Sequence, residues 1–307
     1  MNSTAPFISV IIPTYNAAAT VARCLDSFVI QDYPNKEILV LDAFSTDETV
    51  VIVQSFSAVH DCIKLMVDKD KGIYDAMNKG GSLATGEWLY FSGSDDFLLA
   101  DDVLTKVAKE LASGEADVYY GDVRSARLGK HTGGVYGGPF DEVRILQTNV
   151  CHQAIFMRRS LFLSYGMYDI RYRYYADYVM NLKWMLDSSV RKKYIPVLIA
   201  NYTDGGFSST VPGDPLFFSN YASLVTELAA PFFENYPDKI KFLRVFFNRI
   251  NRLDGPARTF EAARRFGQYG KAVFAALALS MLKYAGGFYF FKEKTNAKNQ
   301  RLANTSS

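Results

Sequence analysis

Two adjacent carboxylates close the stretch Gly86-Glu87-Trp88-Leu89-Tyr90-Phe91-Ser92-Gly93-Ser94-Asp95-Asp96. The apolar residues 88–91 read as a buried strand, and the acids follow it in a small polar turn. Two carboxylates at the end of a buried strand repel unless a positive group sits beside them. In open α/β sheets the carboxyl ends of the strands are where ligands bind. A hard divalent cation carrying a substrate phosphate suits such a turn, and so does a second use of Asp, as the cap of a following helix. Two more polar strand ends share the pattern. Pro13-Thr14-Tyr15-Asn16 stops the apolar run of residues 7–12, and Asp42 closes a strand at 37–41.

The elements that must position these groups follow from periodicity. Val21, Leu25, Phe28 and Val29 give residues 17–31 a helical face. Ser45 or Thr46 is placed to cap a second helix, with Glu48 in its first turn. A third strand over 63–67, a charged loop at 68–72 and a helix over 73–83 lead into the acidic strand. Beyond Asp96 the pattern gives a helix over 101–113, a strand at 117–120 and a turn-rich segment with five glycines between 129 and 139. A strand over 150–157, a short helix at 158–165, a helix over 176–186 and a strand at 194–200 complete the body. After about residue 215 the periodicity is helical only. Strands alternating with helices at this pace predict an α/β fold with a doubly wound, mostly parallel sheet. The domains expected are 1–215, with a first half at 1–100 and a second at 101–215, and a helical basic region at 216–307.

The three strand ends taken together carry a resemblance. Ser9-Val10-Ile11-Ile12-Pro13-Thr14-Tyr15-Asn16, then Asp42 with Ser45-Thr46-Asp47-Glu48-Thr49, then Gly93-Ser94-Asp95-Asp96, is similar to a family 2 glycosyltransferase of the GT-A fold. The likeness runs over about residues 7–210. Its flavour is bacterial polysaccharide synthesis, where Asp70-Lys71-Gly72-Ile73-Tyr74-Asp75-Ala76-Met77-Asn78-Lys79-Gly80 and His152-Gln153 have counterparts. The resemblance implies a nucleotide-sugar donor bound by Pro13, Thr14, Tyr15, Asn16, Asp42, Lys71 and Ser94. Tyr15 would pack on the base, and Asp42 would accept from a uracil or thymine imide. Lys71 would reach the ribose or diphosphate, and Ser94 the ribose. Asp95, with Asp96 as ligand or support, would hold Mg²⁺ or Mn²⁺ on the diphosphate.

The acceptor half implies a base, since an alcohol attacking an anomeric carbon must lose its proton. Ala176-Asp177-Tyr178 resembles the family's acidic pair, with Asp177 at the catalytic acid and Ala176 in place of the first; Asp177 also suits a helix cap. His152, Gln153 and Tyr175 are candidates to line the acceptor site. Other departures are Ala43-Phe44 where many members have Asp-Gly, Met77 where many carry Arg, and Gly93 at the first acid of the metal motif. The reaction implied is inverting transfer from a nucleotide sugar, UDP-linked above others, to a hydroxyl of a glycan or lipid-linked glycan. The competing expectation is a catalytically weak binding or scaffold subunit at the membrane.

Composition bounds the rest. At 307 residues, 49% hydrophobic and 21% charged, the chain has the make-up of an ordinary globular protein. Cys24, Cys62 and Cys151 are widely spaced, which suits reduced thiols of a cytoplasmic protein rather than a disulfide set or zinc site. No secretion signal is expected at the start. A dehydrogenase would need G-x-G-x-x-G after the first strand, where Pro-Thr-Tyr-Asn stands. Residues 231–307 hold 14 Lys and Arg against 5 Asp and Glu. That basic tail includes a weakly polar run between Lys271 and Lys283 and an aromatic cluster at 284–291. It suits peripheral contact with the inner face of an anionic membrane, or packing on the body or on a second subunit. No nucleic-acid-binding module is recognisable.

Overall fold

The computed structural model describes residues 5–125, 128, 134–203, 213–233, 236–254 and a few positions up to 276. The chain divides into two compact units, residues 1–141 with 149–217, and residues 142–148 with 218–307.

The first unit is built on one mixed sheet. Strands β1 (Ile8–Thr14), β2 (Lys36–Asp42), β3 (Ile63–Val67) and β4 (Trp88–Phe91) run parallel in the order β3-β2-β1-β4. Every residue of β1, β2 and β4 is buried, so their central apolar residues follow one another rather than alternate with polar ones. Their register aligns Thr14 with Asp42, and the β1–β4 ladder runs from Ile8–Trp88 to Ile11–Phe91. Pro13 does not stop β1, which runs on to Thr14. Its missing N–H falls beyond the end of the β4 ladder, so no sheet bond is lost. Past β4 the sheet turns mixed: β8 (Ile155–Arg158) lies antiparallel to β4 and to β6 (Val118–Arg124), and β6 runs parallel to β9 (Lys192–Asn201). Two-residue strands β5 (Phe97–Leu98) and β7 (Val135–Tyr136) finish it.

Helices α1 (Val21–Val29), α2 (Thr49–Ser57), α3 (Ile73–Leu83), α4 (Val103–Ala112), α5 (Arg159–Ser164) and α6 (Ala176–Leu186) flank the sheet. Helix α2 starts later than the Ser45–Thr46 cap predicts; Asp47 accepts from the Thr49 backbone N–H at 3.0 Å instead. Helix α3 lies close on the sheet because Gly80 has no side chain: a Cβ there would stand 2.5 Å from Ile11 Cγ2.

A buried carboxylate ties the parallel half together. Glu37 Oε1 accepts from Ser9 Oγ, Thr85 N and Thr85 Oγ1 at 2.6–2.7 Å, and Oε2 from Lys64 at 2.8 Å. Burial opposes its ionisation, but the bonds from Lys64, Ser9 and Thr85 outweigh that and hold it down at about 2. A depressed acid stabilises the fold above its unfolded pKa, and that contribution disappears as pH falls from about 4.5 towards about 2. Glu37→Gln, which cannot accept from all of these donors, should lower unfolding free energy by about 1–3 kcal/mol in urea titrations at pH 7. The difference from the parent should shrink on acidification; a pH-independent difference would refute the assignment.

In the second unit, α7 (Pro215–Phe233, its first three residues belonging to the first unit) and α8 (Lys239–Asp254) supply an aromatic core. Phe242 packs 5.5 Å from Phe233 and 6.4 Å from Phe246, and Tyr221 lies 6.1 Å from Phe246. No helix among the described residues is long and apolar enough to cross a membrane. Apart from Val273 and Ala276, the run at 271–283 and the aromatic cluster at 284–291 lie outside the described residues.

Candidate active site

The loops after β1 and β2 are laced together around Asp42. Its Oδ2 accepts from Thr14 Oγ1 at 2.8 Å and from Ser45 Oγ at 2.6 Å, and its Oδ1 from Ser45 N at 2.8 Å. Asn16 stands in the left-handed region (φ 50°), donates its N–H to Ser45 Oγ and accepts from Thr46 N at 2.9 Å. These bonds bury Thr14 and Asp42 and leave Tyr15 63% exposed beside them. Lys71 is exposed at the start of α3, where its backbone N–H donates to Asp75 and Gly72 takes φ 119°.

The acidic turn after β4 is not a helix cap. Strand β5 follows it directly, and α4 begins only at Val103. Asp96 is buried, with Oδ1 accepting from Thr203 N at 2.8 Å and Oδ2 from Gln153 Nε2 at 2.6 Å. Burial first, and the charge of Asp95 second, push its carboxyl up to about 6 against those two bonds. Arg23 Nη2 and Thr203 Oγ1 both donate to the Asp95 carbonyl, at 3.0 and 2.7 Å, which fixes the turn and leaves the Asp95 side chain half-exposed with Ser94 beside it. At Gly93 an added Cβ would meet Asp96 Oδ2 at 2.7 Å and Asp95 Oδ1 at 2.8 Å. The absent side chain therefore leaves an atom-sized gap that oxygens of both acids border. Those two oxygens suit a hard cation, with further ligands to come from outside the protein. Among the described residues no group of three or more His, Cys, Asp or Glu gathers to hold a metal.

Residues 150–157 are not one strand. Cys151 leads into a 3-10 turn, His152–Ala154, and only Ile155–Arg158 is extended. The turn aims neighbouring side chains at different acids. Cys151 Sγ donates to Gln153 Oε1 at 2.8 Å, so the Gln153 amide presents Nε2 to Asp96. His152 Nδ1 lies 3.6 Å from Asp177 Oδ2, and its Nε2 is buried without a hydrogen-bond partner among the described residues.

Asp177 is the second residue of α6, and its side chain bonds away from the helix rather than capping it. Oδ1 accepts from Tyr74 Oη at 2.8 Å and Oδ2 from Asn149 Nδ2 at 2.9 Å. Asn149 is itself held by Asn181 Nδ2 at 2.9 Å, and Asn181 accepts from Trp184 Nε1 at 2.9 Å. The Tyr74 ring packs 5.2 Å from that of Tyr168. Tyr175 leans on Phe217, 5.2 Å away, and on Tyr178 at 6.2 Å. Tyr74, Asn149 and Thr203 are contributors that the sequence reading passes over as site residues. Of these only Tyr74 had a signal there, within the 70–80 stretch.

The profile described as Glycosyl transferase family 2 matches residues 9–161. Proteins of Mycobacterium bovis and Mycobacterium tuberculosis named PGL/p-HBAD biosynthesis glycosyltransferase are 42% identical over 211 residues, covering 67% of this chain and 81% of theirs. The chain belongs to glycosyltransferase family 2. This glycosyltransferase is also 31% identical over 183 residues to chondroitin synthase of Escherichia coli, over 58% of its own length and 26% of that protein's. Among solved structures, residues 1–349 of S. aureus TarS in complex with UDP-GlcNAc superpose with a TM-score of 0.60 at 17% identity, covering 91% of this chain and 92% of that one. The mannosyltransferase PcManGT of Pyrobaculum calidifontis, in complex with GDP-Man and Mn²⁺, gives 0.56 at 20% identity, over 96% and 84%. At such identities these two establish the GT-A fold of the family 2 enzyme and nothing finer. The family and its named relatives support a transferase.

Proposed function

We propose that this glycosyltransferase inverts the donor's anomeric centre, moving a sugar from a UDP-sugar to a hydroxyl of a glycan or lipid-linked glycan in bacterial surface polysaccharide synthesis. The observation that carries the proposal is the pair of acid centres served by consecutive residues, Asp96 by Gln153 and Asp177 by His152. Asp95 and Asp96 would hold Mg²⁺ or Mn²⁺ at the gap over Gly93; such an ion supplies positive charge where the departing diphosphate gains negative charge. Asp42, fixed by Thr14 and Ser45, would face the base, and the exposed Lys71 the phosphates. Asp177 takes the acceptor hydroxyl's proton, and the oxygen attacks the anomeric carbon opposite the leaving diphosphate. Its oxygens already accept from Tyr74 and Asn149, which fixes its orientation but leaves Oδ1 a lone pair for that proton. His152, Gln153 and Tyr175 would border the acceptor.

The test is a panel of UDP-, GDP- and dTDP-sugars with glycan acceptors, followed by mass spectrometry of products and NMR of the new linkage. Transfer with retained configuration, or no transfer from any UDP-sugar, would overturn the reading. The basic region past residue 231 supports peripheral binding at the inner face of the cell membrane, where a lipid-linked acceptor would lie. The full chain should sediment with anionic vesicles at low salt and be released at high salt. Equal recovery in the supernatant with neutral and anionic vesicles would instead favour packing within the chain or an oligomer.

A further inference from the structure

Phe44 holds a backbone conformation that its side chain disfavours. Its φ is 56°, in the left-handed region that suits Gly and Asn and is an outlier for a bulky residue. Such strain persists only where something offsets it, and it concentrates at ligand sites. Core packing does not offset it here, because Phe44 is 58% exposed. Nor do the loop's hydrogen bonds need a phenyl ring. They run from Ala43 N to Thr14 O, from Ser45 N and Oγ to Asp42, and from Thr46 N to Asn16 Oδ1, and a glycine at 44 would leave all of them in place. The ring therefore serves something outside the described chain.

Its location says what. Phe44 lies two residues past Asp42, which is paired in register with Thr14; Tyr15 follows Thr14 and is likewise exposed. Two uncovered aromatic side chains thus stand on adjacent strand ends, next to a buried, immobilised carboxylate. Planar apolar faces beside a fixed hydrogen-bond acceptor are what a nucleobase requires. We propose that Phe44 is a nucleobase-contacting residue of this enzyme, supplying a stacking face for the donor's base alongside Tyr15. This rests on the donor reading above. It adds a residue that composition and hydrophobic periodicity give no reason to select, and it accounts for the strain.

Calorimetric titration of UDP with Mg²⁺ into the parent, Phe44→Gly and Phe44→Tyr, together with thermal unfolding of each, tests it. Phe44→Gly should unfold at the parent's temperature or a few degrees above, since glycine accepts this φ freely. Its UDP affinity should nevertheless fall by about ten- to a hundredfold, the range expected for loss of one base–aromatic stack. Phe44→Tyr should bind within a few-fold of the parent. Ribose 5-phosphate, which lacks the base, should bind the parent and Phe44→Gly equally. Unchanged UDP affinity in Phe44→Gly would overturn the proposal, and so would a clearly lowered unfolding temperature, which would make the ring structural. If the parent itself binds none of UDP, GDP or dTDP, the donor reading fails first, and the parent's titration shows that separately.

Discussion

Asp177→Asn should fold, bind UDP with the parent's affinity, and turn over about 10²–10⁴-fold more slowly. The size follows from removing the group proposed to take the acceptor's proton. The cleanness follows from the surrounding bonds. An amide at 177 can turn its oxygen to Asn149 and its nitrogen to Tyr74. The Tyr74 hydroxyl can receive that nitrogen, because it also lies 3.0 Å from the Tyr174 carbonyl and can donate there instead. No donor is left facing a donor, so the shell around Asp177 survives the substitution. The donor contacts proposed above are on Asp42, Lys71 and the acidic turn, none of which bonds to Asp177 among the described residues. Steady-state kinetics with saturating donor, alongside calorimetry of UDP, reads both effects. A rate within a few-fold of the parent would remove Asp177 as the base, and a parallel loss of UDP affinity would make it a donor-site residue.

What the sequence made legible was the half of the site carried by strand ends. Apolar runs that stop in Asp42 and in Ser94–Asp96 announce buried parallel strands and a polar edge, and the register of β1 with β2 and β4 brings those ends together. The acceptor side was less legible because its geometry comes from short irregular pieces. Residues 150–157 have the apolar texture of a strand, and nothing in that texture reveals that His152–Ala154 coils into one 3-10 turn. Strand β5 is two residues long, too short for any alternation to mark, and overlooking it is what made Asp96 look like a helix cap. Asn149 and Thr203 lie outside the helices and strands; Asn149 acts through one bond to Asp177, and Thr203 through its N–H to Asp96 and its hydroxyl to the Asp95 carbonyl. Tyr74 sits on a helix face where an aromatic residue most often means core. Its ring is indeed packed on Tyr168, and only the hydroxyl's direction gives it a second role.

Asp95→Ala should abolish the dependence of UDP binding on a divalent ion while making the protein no less stable. Asp95 Oδ1 is one of the two protein oxygens bordering the gap over Gly93, and the other, on Asp96, already accepts from Gln153. Removing the less engaged acid therefore leaves too few oxygens to hold the ion. The turn itself keeps its shape, because Arg23 and Thr203 bond the Asp95 backbone carbonyl rather than its side chain. Stability should move in the opposite direction from binding. Asp96 is raised to about 6 by burial and by the neighbouring Asp95 charge, so above that pH its ionised form costs folding free energy. Without Asp95 that cost falls, and the variant should melt at or above the parent's temperature at pH 8. Well below its raised pKa of about 6 the Asp96 carboxyl is protonated and uncharged, and the electrostatic gain should vanish there. Calorimetry of UDP with Mn²⁺ and with EDTA, on both proteins, reads the first effect. The parent should bind more tightly with Mn²⁺, and the variant equally in both solutions at the parent's EDTA affinity. A parent indifferent to EDTA, or a variant that keeps the Mn²⁺ enhancement, would remove the cation from Asp95.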